Sequence, residues 1–315
     1  MDYLGEIESL KNQLSFSETI KDTDYDQIVI AGMGGSGIAG KIFQELYTEK
    51  PVRLVEDYRI PKFVNKNTLF IAVSYSGTTE ETLSAATQAK RQGAHLVTIS
   101  SGQQLSKLGH QNIILPNSSL QPRAAVGYLL VPLLRSFKIS TERELNLAYR
   151  SLAGLDKNSE ECKKHAAKIS AEKKIPVIYS GAPFKSVAYR WKTQMNENAK
   201  VICYANYFPE LNHNDTVALA KTYRKDLFYF LVLESDYPEI RKRVELTASI
   251  TNTEFHVIKA KGKSVTERLF YLIHFGDYLS YHLGKLRGVD PGDVTLVNEI
   301  KKGLVKNDYS PQTRL

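Results

Sequence analysis

Cysteine is scarce in this chain of 315 residues, which has only Cys162 and Cys203. Two isolated cysteines provide neither a disulfide framework nor the paired spacing of a metal site, so a reducing compartment is expected. Long apolar runs are also missing, because no stretch approaches the roughly 20 residues that span a bilayer. The acidic start of the chain, residues 1–6, lacks the basic and apolar regions of a secretory signal. We therefore expect a cytoplasmic protein that does not enter a membrane.

Histidine occurs seven times, without the spacing of a metal site. His274 and His282 are eight residues apart on one predicted helix, too far for a shared ion without a third ligand. No His-x-His or His-Glu-x-x-His string occurs. The glycine loop at residues 32–37 lacks a Gly-Lys-Ser/Thr string, so a nucleoside-triphosphate loop is not supported there. We expect neither a metal ion nor a cofactor.

Positive charge is in excess, since the formal net charge is +8 and the pI is about 9.2. Such a balance suits an anionic substrate, and it would also suit nucleic acid. The lysines of residues 163–174 are mixed with glutamates, which is typical of a solvated helix face. No basic stripe with interleaved aromatics occurs, and the first strand, near residue 27, leaves no room for an N-terminal helix-turn-helix. We expect a small anionic substrate and no nucleic acid.

Apolar runs alternate with longer amphipathic segments, a pattern typical of βαβ units around a parallel sheet. In the first half the strands are predicted at 27–31, 52–55, 69–73, 95–99 and 112–115. The helices of this half are predicted at 36–47, 79–92, 103–108 and 122–138. Residues 57–66, which include Pro61, are predicted to form a loop.

The same alternation restarts after a charged, predicted helical segment at 143–172. Strands are predicted at 175–180, 201–204, 227–233 and 255–259, and helices at 184–197, 236–251, 264–285 and 293–304. Gly181 follows a predicted strand as Gly32 does in the first half. We predict an α/β fold with two doubly wound parallel-sheet subdomains in tandem, 1–150 and 151–315. The boundary falls between 138 and 160.

The first glycine loop, residues 32–37, follows the strand at 27–31 and opens a helix. It matches Gly-x-Gly-x-x-Gly, the dinucleotide fingerprint, and Glu56 and Asp57 lie near its acidic position. A nucleotide site therefore stays open, as does a tight turn without a ligand. Ser36 favours phosphate, because a hydroxyl at a helix N-terminus can donate to an anion.

The second loop carries four hydroxyls within six residues after the strand at 69–73. One alternative is a capping box, in which Thr78 pairs with Glu81 at the start of a helix. A cap needs only one hydroxyl, however, so several hydroxyls at one strand end indicate phosphate donors. Together the two loops predict a phosphate site formed by Gly34, Gly35, Ser36, Ser74, Ser76 and Thr79.

The pairing of Gly34-Gly35-Ser36-Gly37 with the string from Ser74 to Thr82 resembles the sugar isomerase (SIS) domain, a fold that binds phosphosugars, often in tandem copies. Three further strings resemble the bifunctional phosphoglucose/phosphomannose isomerases of the phosphoglucose isomerase superfamily. They are Gln121 to Ala124, Asn196-Glu197-Asn198-Ala199-Lys200, and Pro209 to Asn214. Asp290-Pro291 followed by Ile300-Lys301-Lys302 is a looser match. The resemblance covers most of the chain.

The resemblance implies an aldose–ketose isomerase of glycolysis and gluconeogenesis. Its substrates would be glucose 6-phosphate, fructose 6-phosphate and mannose 6-phosphate. The reaction moves a proton between C1 and C2 through a cis-enediol, so it needs a base, a ring-opening acid/base and a cation near the enediolate.

By resemblance Glu197 is the base and Arg123 the cation that stabilises the enediolate. His213 opens the ring and would come from the partner subunit of a homodimer, while Asn212, Asn214 and Asp215 could orient its imidazole. Lys301 or Lys302 would assist ring opening. We prefer Lys301 because it directly follows the apolar Ile300.

Other functions stay open. A phosphosugar sensor without catalysis would keep the phosphate loops and need neither Glu197 nor His213. An aminosugar-phosphate isomerase on the same fold is a further alternative. We expect it less, because residues 1–26 are too few for the glutamine-using domain such enzymes usually carry. Each candidate also has a plain structural interpretation, namely a surface glutamate, a structural histidine or a solvated lysine.

Overall fold

Two parallel sheets organise the chain in the computed structural model, which describes residues 2–116, 119–155 and 160–306. The first sheet contains β1 (Gln27–Ala31), β2 (Val52–Val55), β3 (Thr68–Val73), β4 (His95–Ser100) and β5 (Gln111–Ile114). Its order is β2-β1-β3-β4-β5, and each pair is parallel. The helices of this half are α1 (Tyr3–Glu8), α2 (Leu10–Gln13), α3 (Gly34–Leu46), α4 (Glu80–Arg91) and α5 (Val126–Ser136).

The central position of β1 explains where the two glycine loops lie. β1 pairs with β2 on one side and β3 on the other, and Ala31 is the partner of Ala72. The strand order therefore reverses at β1 and β3, the point where open α/β sheets bind ligands beyond the carboxyl ends of their strands. Both loops, 32–37 and 74–79, leave the sheet at this point.

The second sheet repeats the same topology with four strands. These are β6 (Ile175–Ser180), β7 (Tyr204–Tyr207), β8 (Phe228–Leu233) and β9 (Phe255–Ile258), in the parallel order β7-β6-β8-β9. After β6, a Cβ added at Gly181 would lie 2.5 Å from the Ile240 side chain. The position that corresponds to the first glycine loop is thus packed against an apolar side chain. The predicted α/β class with two tandem parallel-sheet units is confirmed.

Helices join the halves. The remaining ones are α6 (Glu142–Ala153), α7 (Glu160–Ala171), α8 (Lys185–Ala199), α9 (Asp215–Lys221), α10 (Pro238–Thr251), α11 (Val265–Leu286) and α12 (Thr295–Lys306). The aromatic-rich α11 packs on α6, α7 and α8. Its Phe275 stacks on Trp191 with ring centroids 5.5 Å apart, and one apolar core runs continuously through both halves.

Several local predictions were wrong. The start of the chain forms α1 and α2, which the sequence did not predict, and residues 103–108 contain only a 3-10 turn at Leu105–Lys107. β7 begins three residues later than predicted, because Lys200 ends α8 in a left-handed conformation. The predicted single helical segment at 143–172 is two helices. Among the described residues, no helix is both long and apolar enough to cross a membrane.

Gly35 fixes the first glycine loop against the chain that enters α5. A Cβ added at Gly35 would lie 2.7 Å from the Pro122 carbonyl oxygen and 3.0 Å from the Arg123 Cα. Contacts this short are not tolerated by a real side chain, so only glycine permits this approach. The loop also contacts the second one, because the Tyr75 N–H donates to the Ser36 Oγ at 3.2 Å.

Replacing Gly35 by alanine is expected to push the loop away from Arg123. We predict that Gly35→Ala lowers the free energy of unfolding by about 1–3 kcal/mol, the usual cost of overpacking. Gly154→Ala is the matched control, because its added methyl group would lie 3.5 Å from the nearest oxygen, an ordinary contact. Urea unfolding curves of the two variants measure the difference, and equal losses would contradict the proposed contact.

Candidate active site

The structure brings the predicted phosphate-binding hydroxyls together. The Ser74 Oγ lies 2.9 Å from the Thr79 Oγ1 and 3.5 Å from the Ser76 Oγ. Ser74 and Ser36 are buried, whereas Ser76 is exposed. The cluster therefore opens to solvent on one side, at the carboxyl ends of β1 and β3, where an anion can reach several hydroxyls at once.

The capping box predicted for Thr78 and Glu81 is not formed. The N-cap of α4 is Thr79, whose side chain makes no cap bond, and Thr78 instead donates its Oγ1 hydrogen to the Ser76 Oγ at 3.1 Å. The helix starts one residue later than this box requires, after a turn at Gly77 with φ 70°.

Two helices consequently begin at this cluster without a side-chain cap. The N-cap of α3 is Met33, which also makes no cap bond, and Gly34 has φ 53° with open space where a Cβ would be. Uncapped N–H groups at a helix start are donors without an intrahelical partner, and the helix dipole adds positive potential there. Both helix starts therefore offer N–H donors beside the hydroxyl cluster.

The acidic residue of the dinucleotide fingerprint is engaged within the protein. The Glu56 carboxylate forms an ion pair with the Lys41 ammonium and also lies beside Gly37. A ribose would require that carboxylate as a hydrogen-bond acceptor. The arrangement favours phosphate alone over a dinucleotide.

Arg123 is the most heavily paired charge near the cluster. Its guanidinium is only 4% exposed. The Nε–H is shared between the Tyr3 hydroxyl and the Asn198 Oδ1, at 2.9 Å each, and one terminal nitrogen donates to the Pro291 carbonyl at 2.8 Å. The guanidinium also lies over the Tyr3 ring, 4.6 Å from its centroid. Its remaining terminal nitrogen faces Glu197.

Glu197 lies in the last turn of α8, with its Oε2 3.4 Å from an Arg123 nitrogen and its side chain 37% exposed. The carboxylate is more open to solvent than the sequence suggested, and it stands above a buried cation. A base and a cation that lie side by side can remove a proton and stabilise the oxyanion that results. The structure thus brings into contact the two residues to which the resemblance gives the roles of base and cation.

Buried side chains of α8 and α11 support Arg123. Arg190 contacts both carboxylate oxygens of Asp277, at 2.8 and 2.9 Å, and donates to the Arg123 carbonyl at 3.0 Å. Burial raises the pKa of the Asp277 carboxyl, and Arg190 opposes that shift. Asn198 donates to the Ser280 hydroxyl at 2.9 Å. Burial likewise raises the pKa of Tyr3 to about 12, so its hydroxyl stays neutral and can both accept and donate.

His213 is not at this site within one chain. It is exposed, in the 3-10 turn Glu210–His213 that follows the carboxyl end of β7. α8 runs back from the carboxyl end of β6, so Glu197 lies about 18 Å along the helix, at the opposite end of the sheet. Among the described residues, no hydrogen bond or ion pair joins His213 to Glu197 or Arg123.

The polar side chains next to His213 bond to other groups in the structure. The Asn212 amide donates to Thr216 and Thr247, and the Asn214 amide donates to Glu210. Asp215 accepts hydrogen bonds from Tyr179 at 2.9 Å and from Asn206 at 3.1 Å. These side chains stabilise the turn and α9.

Lys301 and Lys302 are both exposed on α12, and the contacts of the described residues do not distinguish them. The segment that precedes α12 does reach the site. Its consecutive carbonyls at Pro291, Gly292 and Asp293 accept from Arg123, Gln121 and Lys200, at 2.8, 2.7 and 2.8 Å.

Sequence reasoning missed four residues that complete the site: Tyr3, Asn198, Lys200 and Asp277. Asn198 and Lys200 lie in the string around Glu197, which was the only signal available for them. Within the ranges that the structure covers, no three His, Cys, Asp or Glu side chains form a group that could hold a metal ion.

Comparison with known proteins identifies both halves. A family model described as the bacterial phospho-glucose isomerase C-terminal SIS domain matches residues 158–304, and the SIS domain model matches residues 23–119. The chain is 54% identical over 302 residues to the bifunctional phosphoglucose/phosphomannose isomerase of Thermoplasma volcanium, covering 96% of this chain and 99% of that protein. The enzyme of the same name from Aquifex aeolicus is 33% identical over 316 residues, covering 96% and 98%.

A solved structure shows the same fold. The C-terminal domain of glucosamine-fructose-6-phosphate aminotransferase from Francisella tularensis superposes with a TM-score of 0.68, covering 93% of this chain and 98% of that one, at 16% identity. At that identity the likeness concerns the fold alone. The two SIS domains, the strings around Arg123 and Glu197, and the full-length relatives together show that this chain belongs to the bifunctional phosphoglucose/phosphomannose isomerase family.

Proposed function

We propose that this chain interconverts glucose 6-phosphate with fructose 6-phosphate, and mannose 6-phosphate with fructose 6-phosphate, through a cis-enediol. One observation carries the proposal. Arg123 contacts the phosphate-side loop through its backbone, at Gly35, and the Glu197 carboxylate through its guanidinium, at 3.4 Å. A single arginine therefore lies between an anion site and a base. A phosphosugar requires this arrangement, because its phosphate and its reactive carbons are at opposite ends of the molecule.

The substrate phosphate is assigned to the cluster at the carboxyl ends of β1 and β3. The hydroxyls of Ser36, Ser74, Ser76 and Thr79 donate to it, and Gly34 and Gly35 let the backbone come close. This assignment is supported by the hydroxyl contacts and the two uncapped helix starts. It places residues 1–150 as the phosphate-binding half and residues 151–315 as the half that supplies the catalytic carboxylate.

Glu197 is assigned the proton transfer. It removes the C2 proton of the open-chain aldose, and the C1 oxygen takes up the electron pair as an enediolate. A proton then moves from the C2 hydroxyl to the C1 oxygen, and the Glu197 carboxyl group returns its proton to C1 as the C2 carbonyl forms, which gives the ketose. Arg123 stabilises the enediolate, because a guanidinium stays protonated and does not give its proton away.

His213 is assigned to ring opening, in which it moves a proton between the O1 and O5 oxygens, from the partner subunit of a homodimer. Two observations support this assignment. His213 and Glu197 occupy opposite ends of the second sheet in one chain, and His213 is exposed. The edge strand β7 next to it also carries two exposed aromatic side chains, Tyr204 at 55% and Tyr207 at 42%. Lys301 on α12 is assigned to assist ring opening. The enzyme is assigned to the cytoplasm.

We predict that Glu197→Gln lowers kcat by about two to four orders of magnitude with little change in KM, because an amide cannot accept the proton. A coupled assay with glucose 6-phosphate and with mannose 6-phosphate measures this. Glu239→Gln, at an exposed position of α10, is the control and should keep wild-type kinetics. A Glu197→Gln variant that keeps more than about a tenth of wild-type turnover would remove Glu197 from this role. If the wild-type protein binds sugar phosphate but forms no product, the alternative of a phosphosugar sensor without catalysis would be favoured.

Mixing two inactive variants tests the shared site. In a dimer of one Glu197→Gln and one His213→Asn chain, one site carries both changes and the other carries neither. We predict that subunit exchange restores up to about a quarter of wild-type activity. Mixing Glu197→Gln with Arg123→Lys is the control, because both residues lie in one chain and no intact site forms. Failure of the first mixture to recover would place His213 outside the partner's site.

A further inference from the structure

Lys200 has a backbone conformation that is unfavourable for lysine. It ends α8 with φ 54° and ψ 40°, the left-handed region in which glycine and asparagine are usual. Asparagine or glycine would end the helix here with less strain. The lysine side chain must therefore make contacts that are not needed to end the helix.

The Lys200 ammonium connects the end of α8 to the segment before α12. It donates to the Glu197 carbonyl and, at 2.8 Å, to the Asp293 carbonyl. The neighbouring carbonyls at Pro291 and Gly292 accept from Arg123 and Gln121. Three consecutive carbonyls thus accept hydrogen bonds from three side chains, one of which is Arg123 itself. Burial and the nearby Arg123 charge lower the pKa of Lys200, while Asp293, Asp290 and Glu197 oppose that shift.

We propose that Lys200 is a positioning residue, which holds the main chain at Glu197 against the 291–293 segment so that the carboxylate stays beside the Arg123 guanidinium. The inference rests on the proposed isomerase function and adds to it a residue that does not touch the sugar. Glu197 is in the last turn of α8, where helix ends fray. A displacement of about 1 Å at a catalytic group costs up to roughly 100-fold in rate.

The chain offers a matched control. Lys173, after α7, is also left-handed with φ 52°, and its side chain is exposed. Glycine at either position relieves the same backbone strain, but only Lys200→Gly removes the link between the two segments. Lys200→Asn also tolerates the left-handed conformation and provides a second variant in case the glycine variant does not fold. Lys200→Arg keeps a donor and is the rescue variant.

We expect Lys173→Gly to keep wild-type kcat and KM and to melt at the same or a higher temperature. Lys200→Gly and Lys200→Asn should lose about 10- to 100-fold in kcat with KM changed less than about threefold, because the phosphate site is untouched. Lys200→Arg should recover most of that loss. On a Glu197→Gln background, Lys200→Gly should cost less than about threefold further, since it acts through that carboxylate.

The outcomes separate the two claims. A wild-type chain that makes no isomerase product overturns the proposed function and, with it, this role. An active wild type with equal kcat for folded Lys200→Gly and Lys173→Gly overturns only the role of Lys200. If Lys200→Gly lowers kcat on the Glu197→Gln background as much as it does in the wild type, Lys200 does not act through Glu197.

Discussion

The buried Arg123 guanidinium is the charge on which the candidate site depends. A cation removed from water must be paired and hydrogen-bonded, because an uncompensated buried charge is strongly destabilising. Its partners come from α1, from the end of α8 and from the segment before α12. Three parts of the chain that are distant in sequence are therefore held at one point, and the carboxylate that faces that point is Glu197.

The location of the site at the junction of the two halves follows from the same constraint. The first half presents hydroxyls and uncapped helix starts at its sheet reversal, whereas the corresponding position of the second half is packed by Ile240. The second half instead supplies α8 and α11, whose buried Arg190–Asp277 pair supports Arg123 from behind. One apolar core through both halves keeps the two contributions at a fixed distance.

Local patterns in the sequence predicted most of the fold. The spacing of apolar residues within one segment indicates whether that segment is a strand or a helix, without knowledge of the rest of the chain. The two glycine loops were predictable for the same reason, because each directly follows an apolar run and opens a helix. The ion pair between Arg123 and Glu197 and the contact with Tyr3 join distant segments, and nothing in their spacing indicates them. The capping box at Thr78 had the right residues, but the helix begins one residue later, after the turn at Gly77. Two neighbours of His213, Asn212 and Asp215, bond to the side chains of Thr247 and Tyr179, which are distant in sequence.

The most direct test is a crystal structure of the protein with 5-phosphoarabinonate, whose carboxylate imitates the enediolate. We predict that its phosphate binds to the hydroxyls of Ser36, Ser74 and Thr79, and that its carboxylate lies within hydrogen-bond distance of the Arg123 guanidinium and next to Glu197. A phosphate bound away from the carboxyl ends of β1 and β3, or a carboxylate that contacts neither Arg123 nor Glu197 in any subunit, would contradict it.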